Sequence, residues 1–347
     1  MQRLVSLDYL RGFSALAVAS AHFIMIAQGS YLSELVAAIA VEIFFPLSGF
    51  VLAPQIIKVW QQNYHIKVFL IRRWLRTVPP YILAVISMTI VLDQFSSEEF
   101  LKYLFFLNYL SLSDLDSLND FYPVAWSLAV EEWFYIIFPL LVVVASRLTK
   151  STVGLAFCGV MLVVLGIISR WVTSVDVDPD HIRISTLLRL DAIAVGFIFF
   201  LLFSRIRSLS SLPLIILGSV IGIVILLLTH QSNLAPREFG NLLLAFAPMI
   251  FGAVIFLLAI GEQTVALRTN NTCQLVGQWL GRISYSVYLF HLLVIMLVFP
   301  NSSAVVLPAY LVFLIVLCVG FYVLFERPIL ATRPGYRDKN NKTRSGQ

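Results

Sequence analysis

The sequence predicts an all-α, polytopic integral membrane bundle of about ten transmembrane helices with one short re-entrant or interfacial helix. Hydrophobic residues make up 59% of the 347 residues and charged residues only 12%. The mean hydropathy of +0.90 lies far outside the range of soluble domains. Apolar runs of about 16 to 24 residues recur along the chain, and each is long enough to cross a bilayer. The alternating pattern of a β-barrel is missing from these runs.

The apolar runs define the predicted elements in order. The ten spans are 9–28, 35–57, 77–95, 123–146, 152–172, 184–204, 212–229, 239–260, 284–299 and 307–325. Residues 99–112 are apolar but short and precede the polar run SDLDSLND, which favours a re-entrant or interfacial helix. We therefore expect one integral membrane domain over 1–330 and a polar basic tail over 331–347.

The basic residues predict the orientation. With ten spans and a cytoplasmic N-terminus, most of them fall on the cytoplasmic side, which the positive-inside rule favours. The other side keeps only Lys102, Arg170, Arg183 and Arg237. We expect both termini in the cytoplasm, and no cleaved signal, because the first span carries Asp8 and Arg11. The net charge of +5 then reflects topology and contact with anionic lipid rather than nucleic acid.

Several classes of site have no support in the sequence. Cys158 and Cys318 fall within predicted spans and Cys273 in a predicted cytoplasmic loop, so neither a disulfide framework nor a Cys-x-x-Cys metal site is indicated. The five histidines lack metal-ligand spacing. Glycine-rich nucleotide loops and internal repeats are also missing. We therefore expect no bound metal.

Arg11 and His22 form the most informative pair. Eleven residues at 100° each bring the two side chains within about 20° of one another and about 16 Å apart along the helix axis. The arginine then lies at the membrane edge and the imidazole near the middle. An ionisable group at that depth is costly and usually functional.

Other polar residues within the spans add candidates, but each also has a structural explanation. A membrane histidine is often an interhelical hydrogen-bond partner, and Arg189 with Asp191 is also explained as an ion pair inside the bundle. Taken together, these residues outnumber what helix packing requires. They are Arg11, His22, Glu42, Glu131, Glu132, Arg189, Asp191 and His291.

Seven motifs occur in the order seen in the acyltransferase-3 family, and the chain resembles that family over nearly its whole length. The motifs are LDYLRGFSALAVASAHF, VEIFFPLSGFVLAP, RRWLRTVPPY, WSLAVEEWFYIIFPLLV, LLRLDAIAVGF, GRISYSVYLFHLLV and FERP. The most specific parts of this resemblance are two residue pairs. Arg11 and His22 match the Arg-x10-His pair, and Arg73 and Arg76 match the Arg-x-x-Arg pair. One departure is Pro46, where family members more often carry an aliphatic residue.

The resemblance implies a membrane-bound O-acyltransferase of the bacterial inner membrane. Such enzymes move an acyl group, usually acetyl from acetyl-CoA, to a hydroxyl of a carbohydrate or glycolipid. Some members carry an extracellular SGNH-type esterase domain, for which we find no room in this chain. We expect the membrane-only form.

The required chemistry suggests roles for the matched residues. Removal of a hydroxyl proton needs a base near neutral pH, and His22 is our candidate. The phosphates of coenzyme A need cations at the membrane surface. Arg73 and Arg76 are neighbours on one helix, and guanidinium groups bind phosphate in a bidentate way. Arg72 adds positive charge, and Arg11 orients the coenzyme or holds a carboxylate. The alternative explanation for these arginines is that they serve only as the positive-inside signal that sets the topology.

The remaining candidates have supporting roles. Adjacent residues point about 100° apart on a helix, so we expect only one of Glu131 and Glu132 to face the site. That carboxylate either orients His22 or binds sugar hydroxyls, and Trp126 offers a stacking surface. Glu42 is expected to pair with Arg11 or Arg189. His291 is structural or supports the site, and Asp191 is a supporting residue. Ser48 lacks the G-x-S-x-G context of a nucleophile.

Two other functions remain open at this stage. A secondary transporter with an intramembrane His, Glu and Arg relay is the main alternative, although the chain shows no inverted repeat. A non-catalytic membrane scaffold explains the buried charges less well. The sequence leaves open the acceptor, the acyl group and the oligomeric state.

Overall fold

The computed structural model describes residues 3–61, 65–95, 98–110, 121–149, 151–174, 177, 179–206, 236–264 and 271–335. Within these ranges all regular secondary structure is helical. The helices are α1 (Val5–Gln28), α2 (Tyr31–Trp60), α3 (Ile66–Leu92), α4 (Glu98–Leu104), α5 (Ala125–Leu148), α6 (Thr152–Thr173), α7 (Pro179–Ile184), α8 (Leu190–Arg205), α9 (Pro236–Thr264), α10 (Asn271–Val298), α11 (Leu307–Phe321) and α12 (Arg327–Ala331). A 3₁₀ turn, Leu187–Arg189, precedes α8, and a π-helical turn, Tyr322–Glu326, joins α11 to α12.

Nine helical segments in the described ranges are long and apolar enough to cross a membrane. They correspond to nine of the ten predicted spans, and the remaining one, 212–229, lies outside the described residues. The prediction of an all-α polytopic bundle is confirmed. Because the spans are hydrophobic around most of their circumference, they are typical of helices with protein on one side and lipid on the other.

The predicted short helix is α4. Its seven residues rise about 10 Å, which is too short to cross a bilayer. The chain then turns at Phe106 and Tyr109, whose φ angles are 57° and 56°. The indole nitrogen of Trp133 donates to the Phe106 carbonyl at 2.9 Å, and the Thr186 amide donates to the Tyr109 carbonyl at 2.9 Å. These bonds hold the turn against α5 and the segment before α8.

The first helix packs closely against α10. A Cβ atom added to Gly12 would lie 2.5 Å from the Cβ of Leu280, so the two helices meet where one of them has no side chain. The start of α1 is fixed by Glu262 of α9, whose carboxylate accepts hydrogen bonds of 2.8 Å from the amides of Val5 and Ser6. This carboxylate satisfies amides that lack a partner within the helix. Both contacts determine which face of α1 points into the bundle.

Candidate functional site

A cavity of about 480 Å³ lies beside the start of α1, and we call it the basic vestibule. Five arginines line it against only two carboxylates, Asp8 and Glu326. The arginines come from α1, α3, α10 and the two ends of the described chain: Arg3, Arg11, Arg76, Arg282 and Arg333. Arg3 is bound to Asp8 at 2.5 Å. The excess of guanidinium groups makes this cavity suited to a ligand with several negative charges.

A second cavity, about 60 Å³ in volume, continues from the vestibule, and we call it the narrow channel. It shares Arg11 and Arg76 with the vestibule, so the two cavities meet at these side chains. Its walls are otherwise largely aromatic and hydroxyl groups: Phe44, Phe45, Ser48, Arg73, Thr77, Ser127, Leu128, Glu131, Tyr135, Ser284, Tyr285 and Tyr288. A thin, weakly polar chain fits such a channel better than a charged head group does.

Glu131 faces the narrow channel, whereas Glu132 points elsewhere. The carboxylate of Glu131 accepts hydrogen bonds from the Ser48 hydroxyl at 2.5 Å and from the Tyr135 hydroxyl at 2.7 Å. Glu132 is buried and directed towards Thr77 and Trp74 of α3. The structure therefore separates the two glutamates as their angle on the helix predicts.

Two histidines contact each other next to Tyr288, one of the residues that line the narrow channel. The Nδ1 atom of His22 lies 2.8 Å from the Nε2 atom of His291. The Nδ1 atom of His291 lies 2.7 Å from the carbonyl oxygen of Tyr288. The Tyr288 ring lines the channel, and its centroid lies 5.9 Å from that of His291. A single side chain thus separates the channel from the histidine pair.

The far end of the bundle holds a buried network of ions. Arg189 is fully buried and binds Glu42, and it also donates to the Leu244 carbonyl at 3.1 Å. Arg170 binds Asp191 at 2.6 Å and the Leu188 carbonyl at 2.8 Å. Removing one partner of a buried ion pair typically costs several kcal/mol, because it leaves an uncompensated charge. The two pairs join α2, α6 and α8 at the same level of the bundle.

Arg183 lies next to this network and is partly exposed. Its Nε atom lies 3.9 Å from Glu42, and its guanidinium group stacks over the Trp126 ring at 5.2 Å. One quarter of the Arg183 side chain is accessible, whereas Glu42 is buried. Arg183 therefore offers a charged group at the surface of an otherwise closed network.

A family model described as an acyltransferase domain, the acyltransferase-3 model, matches residues 4–327. The chain belongs to this family. The resemblance predicted from the seven motifs is confirmed. No solved structure gives a significant match.

Three curated relatives of this chain come from bacteria. Peptidoglycan O-acetyltransferase OatA of Listeria monocytogenes is 26% identical in an alignment of 330 positions that covers 85% of this chain and 50% of the relative. The putative O-acetyltransferase SACOL0978 of Staphylococcus aureus is 25% identical over 80% of this chain and 49% of its own length. The putative peptidoglycan O-acetyltransferase YrhL of Bacillus subtilis is 31% identical over 43% of this chain and 25% of its own length. The chain spans about half the length of the first two relatives.

The four arginines predicted to bind the coenzyme lie at different places. Arg76 lines both cavities and Arg73 lines only the narrow channel. Arg72 donates to the Pro334 carbonyl at 2.6 Å and is not among the residues that line either cavity. Arg11 lies where the cavities meet. In the described parts of the chain, no group of three or more His, Cys, Asp or Glu is arranged to bind a metal ion.

The interpretation of Arg189 and Asp191 as an ion pair with each other is wrong. Each has a partner on another helix, Glu42 for Arg189 and Arg170 for Asp191. Arg189 ends the 3₁₀ turn and Asp191 lies in the first turn of α8, and their side chains reach α2 and α6, respectively. The predicted pairing of Glu42 with Arg189 agrees with the structure.

The sequence allows Glu131 or Glu132 to orient His22, but the structure indicates a different residue for this role. The hydrogen-bond partner of the His22 Nδ1 atom is His291, and Glu131 is bound by Ser48 and Tyr135 instead. Glu131 and His22 lie on different helices, and the sequence contains no information on their relative height. The motif SYSVYLFH was the available signal for His291.

Four further residues of the candidate site were not assigned from sequence. Arg3, Arg282, Arg333 and Glu326 line the basic vestibule. Glu326 accepts a hydrogen bond from the Ser286 hydroxyl, and its position in the motif FERP was the signal that could have identified it. The three arginines resemble any other basic residue near the end of a span, so their convergence is visible only in the fold.

Proposed function

We propose that this protein is a membrane O-acyltransferase that moves an acetyl group from acetyl-CoA to a hydroxyl of a cell-wall glycan. The observation that carries the proposal is the basic vestibule, which shares Arg11 and Arg76 with the narrow channel, together with the histidine pair beside the channel-lining Tyr288. Membership of the acyltransferase family supports the reaction class. The relative from Listeria monocytogenes is named a peptidoglycan O-acetyltransferase, which supports a peptidoglycan acceptor.

The two cavities match the two parts of an acyl-CoA molecule. The head group carries several phosphate charges, for which five arginines in the vestibule are suitable partners. The pantetheine arm is thin and weakly polar, and the aromatic and hydroxyl groups that form much of the narrow channel are suited to it. With the phosphates near Arg11 and Arg76, the thioester would lie deeper in the bundle, on the side of His22. The helix rise from Arg11 to His22 is about 16 Å.

His22 is the proposed general base. In the reaction it accepts the proton of the acceptor hydroxyl as the oxygen attacks the thioester carbonyl. A carbon–oxygen bond forms, the carbon–sulfur bond breaks, and the proton passes from His22 to the departing thiolate. The products are an O-acetyl ester and free coenzyme A, so the step needs no other reactant.

The acceptor is proposed to approach from the far end of the bundle. Trp126 and Arg183 lie there, next to the buried pair of Glu42 and Arg189. An aromatic ring and a partly exposed guanidinium group are suited to a sugar with a nearby carboxylate or hydroxyl. In this arrangement Glu42 fixes the arginines, and Trp126 with Arg183 contacts the glycan.

A secondary transporter is the second candidate function. The buried pairs Arg189–Glu42 and Arg170–Asp191 favour it, because ionisable residues within spans are typical of transport and relay pathways. The transporter does not require the channel to bind acyl-CoA. Binding of acetyl-CoA to the purified protein therefore distinguishes the two functions.

Acetyl transfer by the purified full chain in nanodiscs tests the proposal. Radiolabelled acetyl-CoA and soluble peptidoglycan glycan fragments are supplied, and labelled glycan is measured. We expect His22→Ala to lose about 10²–10⁴-fold in rate, the usual contribution of a positioned base, while it still binds acetyl-CoA in equilibrium dialysis. Phe13→Leu is the matched control, because Phe13 lies on the same helix and is 57% exposed.

The possible results of these assays distinguish the two candidate functions and the two possible roles of His22. Normal transfer by His22→Ala would reject His22 as the base. Failure of the wild-type protein to bind acetyl-CoA would reject the acyltransferase proposal and leave the transporter. Loss of folded protein in His22→Ala, with Phe13→Leu intact, would show that His22 has a structural role instead.

A further inference from the structure

We infer that His291 is the positioning residue that fixes the proton on Nδ1 of His22 and so makes Nε2 of His22 the basic atom. The inference rests on the proposed function, since it names the atom through which the proposed base acts. It follows from three contacts of the histidine pair.

The first contact determines the proton on His291. Its Nδ1 atom lies 2.7 Å from the carbonyl oxygen of Tyr288. A carbonyl oxygen only accepts hydrogen bonds, so Nδ1 of His291 must carry the hydrogen. A neutral imidazole carries one hydrogen on nitrogen, which leaves a lone pair on Nε2 of His291.

The second contact determines which nitrogen of His22 carries the hydrogen. The Nε2 atom of His291 lies 2.8 Å from Nδ1 of His22, and two nitrogens at this distance need one donor and one acceptor. Because His291 supplies the lone pair, His22 supplies the hydrogen from Nδ1. The lone pair of neutral His22 is therefore on Nε2, the ring atom on the side away from His291.

The relative orientation of the rings supports a directed hydrogen bond. The ring planes differ by only 9°, and the ring centroids are 5.0 Å apart. This separation is close to the nitrogen–nitrogen distance plus one ring diameter, as expected for two nearly coplanar rings that meet edge to edge. In that arrangement the N–H bond of one ring points along the lone pair of the other.

Burial makes the arrangement rigid. His291 has no accessible surface, and its own carbonyl oxygen accepts a hydrogen bond from the Tyr310 hydroxyl at 3.2 Å. The Tyr288 hydroxyl is in turn bound to Ser127 at 2.7 Å. Tyr310 holds the backbone of His291 and the Tyr288 carbonyl holds its ring, so the contact that sets the tautomer of His22 is in place before a substrate binds. After proton uptake, Nδ1–H of His22 continues to donate to His291 and keeps the ring in place.

Nitrogen-15 NMR of histidine-labelled protein in lipid tests the tautomer without any substrate. We expect neutral His22 to show a protonated Nδ1 and an unprotonated Nε2, which is the reverse of the tautomer that free histidine favours in water. His22→Ala identifies the signal. A spectrum with the hydrogen on Nε2 of His22 would overturn the inference.

Kinetics provide the second test. His291→Ala should lower kcat at least about tenfold. The upper bound is about 10⁴-fold, which is the loss that a wrong histidine tautomer causes in a serine protease. The KM for acetyl-CoA should stay nearly unchanged, because His291 is not among the residues that line the channel. His291→Gln should recover part of kcat, since its side-chain oxygen can accept the hydrogen of His22 Nδ1. Phe290→Leu, the neighbour on α10, controls for loosening of the helix.

The two proposals fail in different ways. Full activity of His291→Ala beside an inactive His22→Ala would overturn the positioning role and keep the proposed base. Equal loss in the alanine and glutamine variants, with KM raised in both, would assign His291 to packing. Full activity of His22→Ala would reject the base itself. The NMR result decides the inference if the alanine variant does not fold.

Discussion

Arg72, Arg73 and Arg76 lie within about one turn of α3 but have three different surroundings. Arg76 lines both the basic vestibule and the narrow channel, and Arg73 lines the channel alone. Arg72 instead holds the segment after α12 through the Pro334 carbonyl. The positive-inside rule explains why three cations occur here, but it does not distinguish them. Their contacts do.

Substitution of these arginines should therefore give unequal effects on acetyl-CoA binding. We expect Arg76→Ala to weaken binding by roughly 1.5–3 kcal/mol, the contribution of a hydrogen bond to a charged group, which corresponds to about tenfold to hundredfold in Kd. Arg76→Lys should recover little, because lysine lacks the planar fork. Arg72→Ala is the matched control with nearly unchanged Kd. Isothermal titration calorimetry measures all three, and equal losses for Arg72→Ala and Arg76→Ala would indicate a general field effect instead.

For single residues, the sequence predicts the direction in which a side chain leaves its helix better than it predicts which residue that side chain contacts. The spacing of Arg11 and His22 places them on one face of α1, and the structure has Arg11 at the junction of the cavities and His22 at the histidine pair. The partner of His22 is 269 positions away. Its identity depends on the rotation and height of α10, which no local pattern encodes. The same reason explains the wrong pairing of Arg189 with Asp191.

Among the helices, α2 and α8 make backbone-to-backbone contact. A Cβ atom on Gly49 would lie 1.9 Å from the carbonyl oxygen of Ile193, and one on Gly196 would lie 1.8 Å from that of Pro46. Small residues allow such an approach in membranes, where close packing rather than the hydrophobic effect holds helices together. Glu42 lies on α2, and its partner Arg189 ends the 3₁₀ turn directly before α8.

An added methyl group at this crossing should destabilise the protein. We expect Gly196→Ala to cost about 1–3 kcal/mol, because the obstacle is a carbonyl group that cannot change rotamer. Gly320→Ala is the matched control, since no heavy atom outside its own helix lies within 4 Å of the added Cβ. Alanine should be neutral or slightly favourable there. Thermal unfolding in detergent measures both variants, and equal Tm values for them would contradict close packing at the crossing.

The elements themselves were largely predictable. Nine of the ten predicted spans correspond to helices, because length and hydropathy identify a span without knowledge of its neighbours. The π-helical turn Tyr322–Glu326 was not predictable. Such a turn changes the direction of the following side chains and is frequent at functional sites. It precedes α12 and places Glu326 at the vestibule, where Ser286 of α10 binds it.

Across the whole molecule the arginines are divided between two kinds of environment. Those near the start of α1 line a cavity and exceed the nearby carboxylates. Those at the far end are more nearly balanced: Arg170 binds Asp191, Arg189 binds Glu42, and Arg183 is a third arginine there. The vestibule end, with five arginines against two carboxylates, is the unbalanced end and attracts a multiply charged anion more strongly. We propose that the unbalanced end faces the cytoplasm, as the positive-inside rule favours.

This division supports a reaction with donor and acceptor on opposite sides of the membrane. The proposed donor is highly charged and matches the basic vestibule, whereas Trp126 and Arg183 lie at the other end. His22 lies between them, about 16 Å along α1 from Arg11. The narrow channel would then admit the pantetheine arm and exclude the phosphates.

Transfer across sealed vesicles tests this arrangement. Cys273 at the start of α10 is the exposed one of three cysteines, so an impermeant maleimide that labels it reports which vesicles have the basic end outward. With glycan fragments sealed inside such vesicles, we expect radiolabelled acetyl-CoA added outside to label the enclosed glycan. His22→Ala vesicles and vesicles of the opposite orientation should show only background. Labelling that occurs only after detergent mixes the compartments would contradict transfer across the bilayer, while acyl transfer itself would stand.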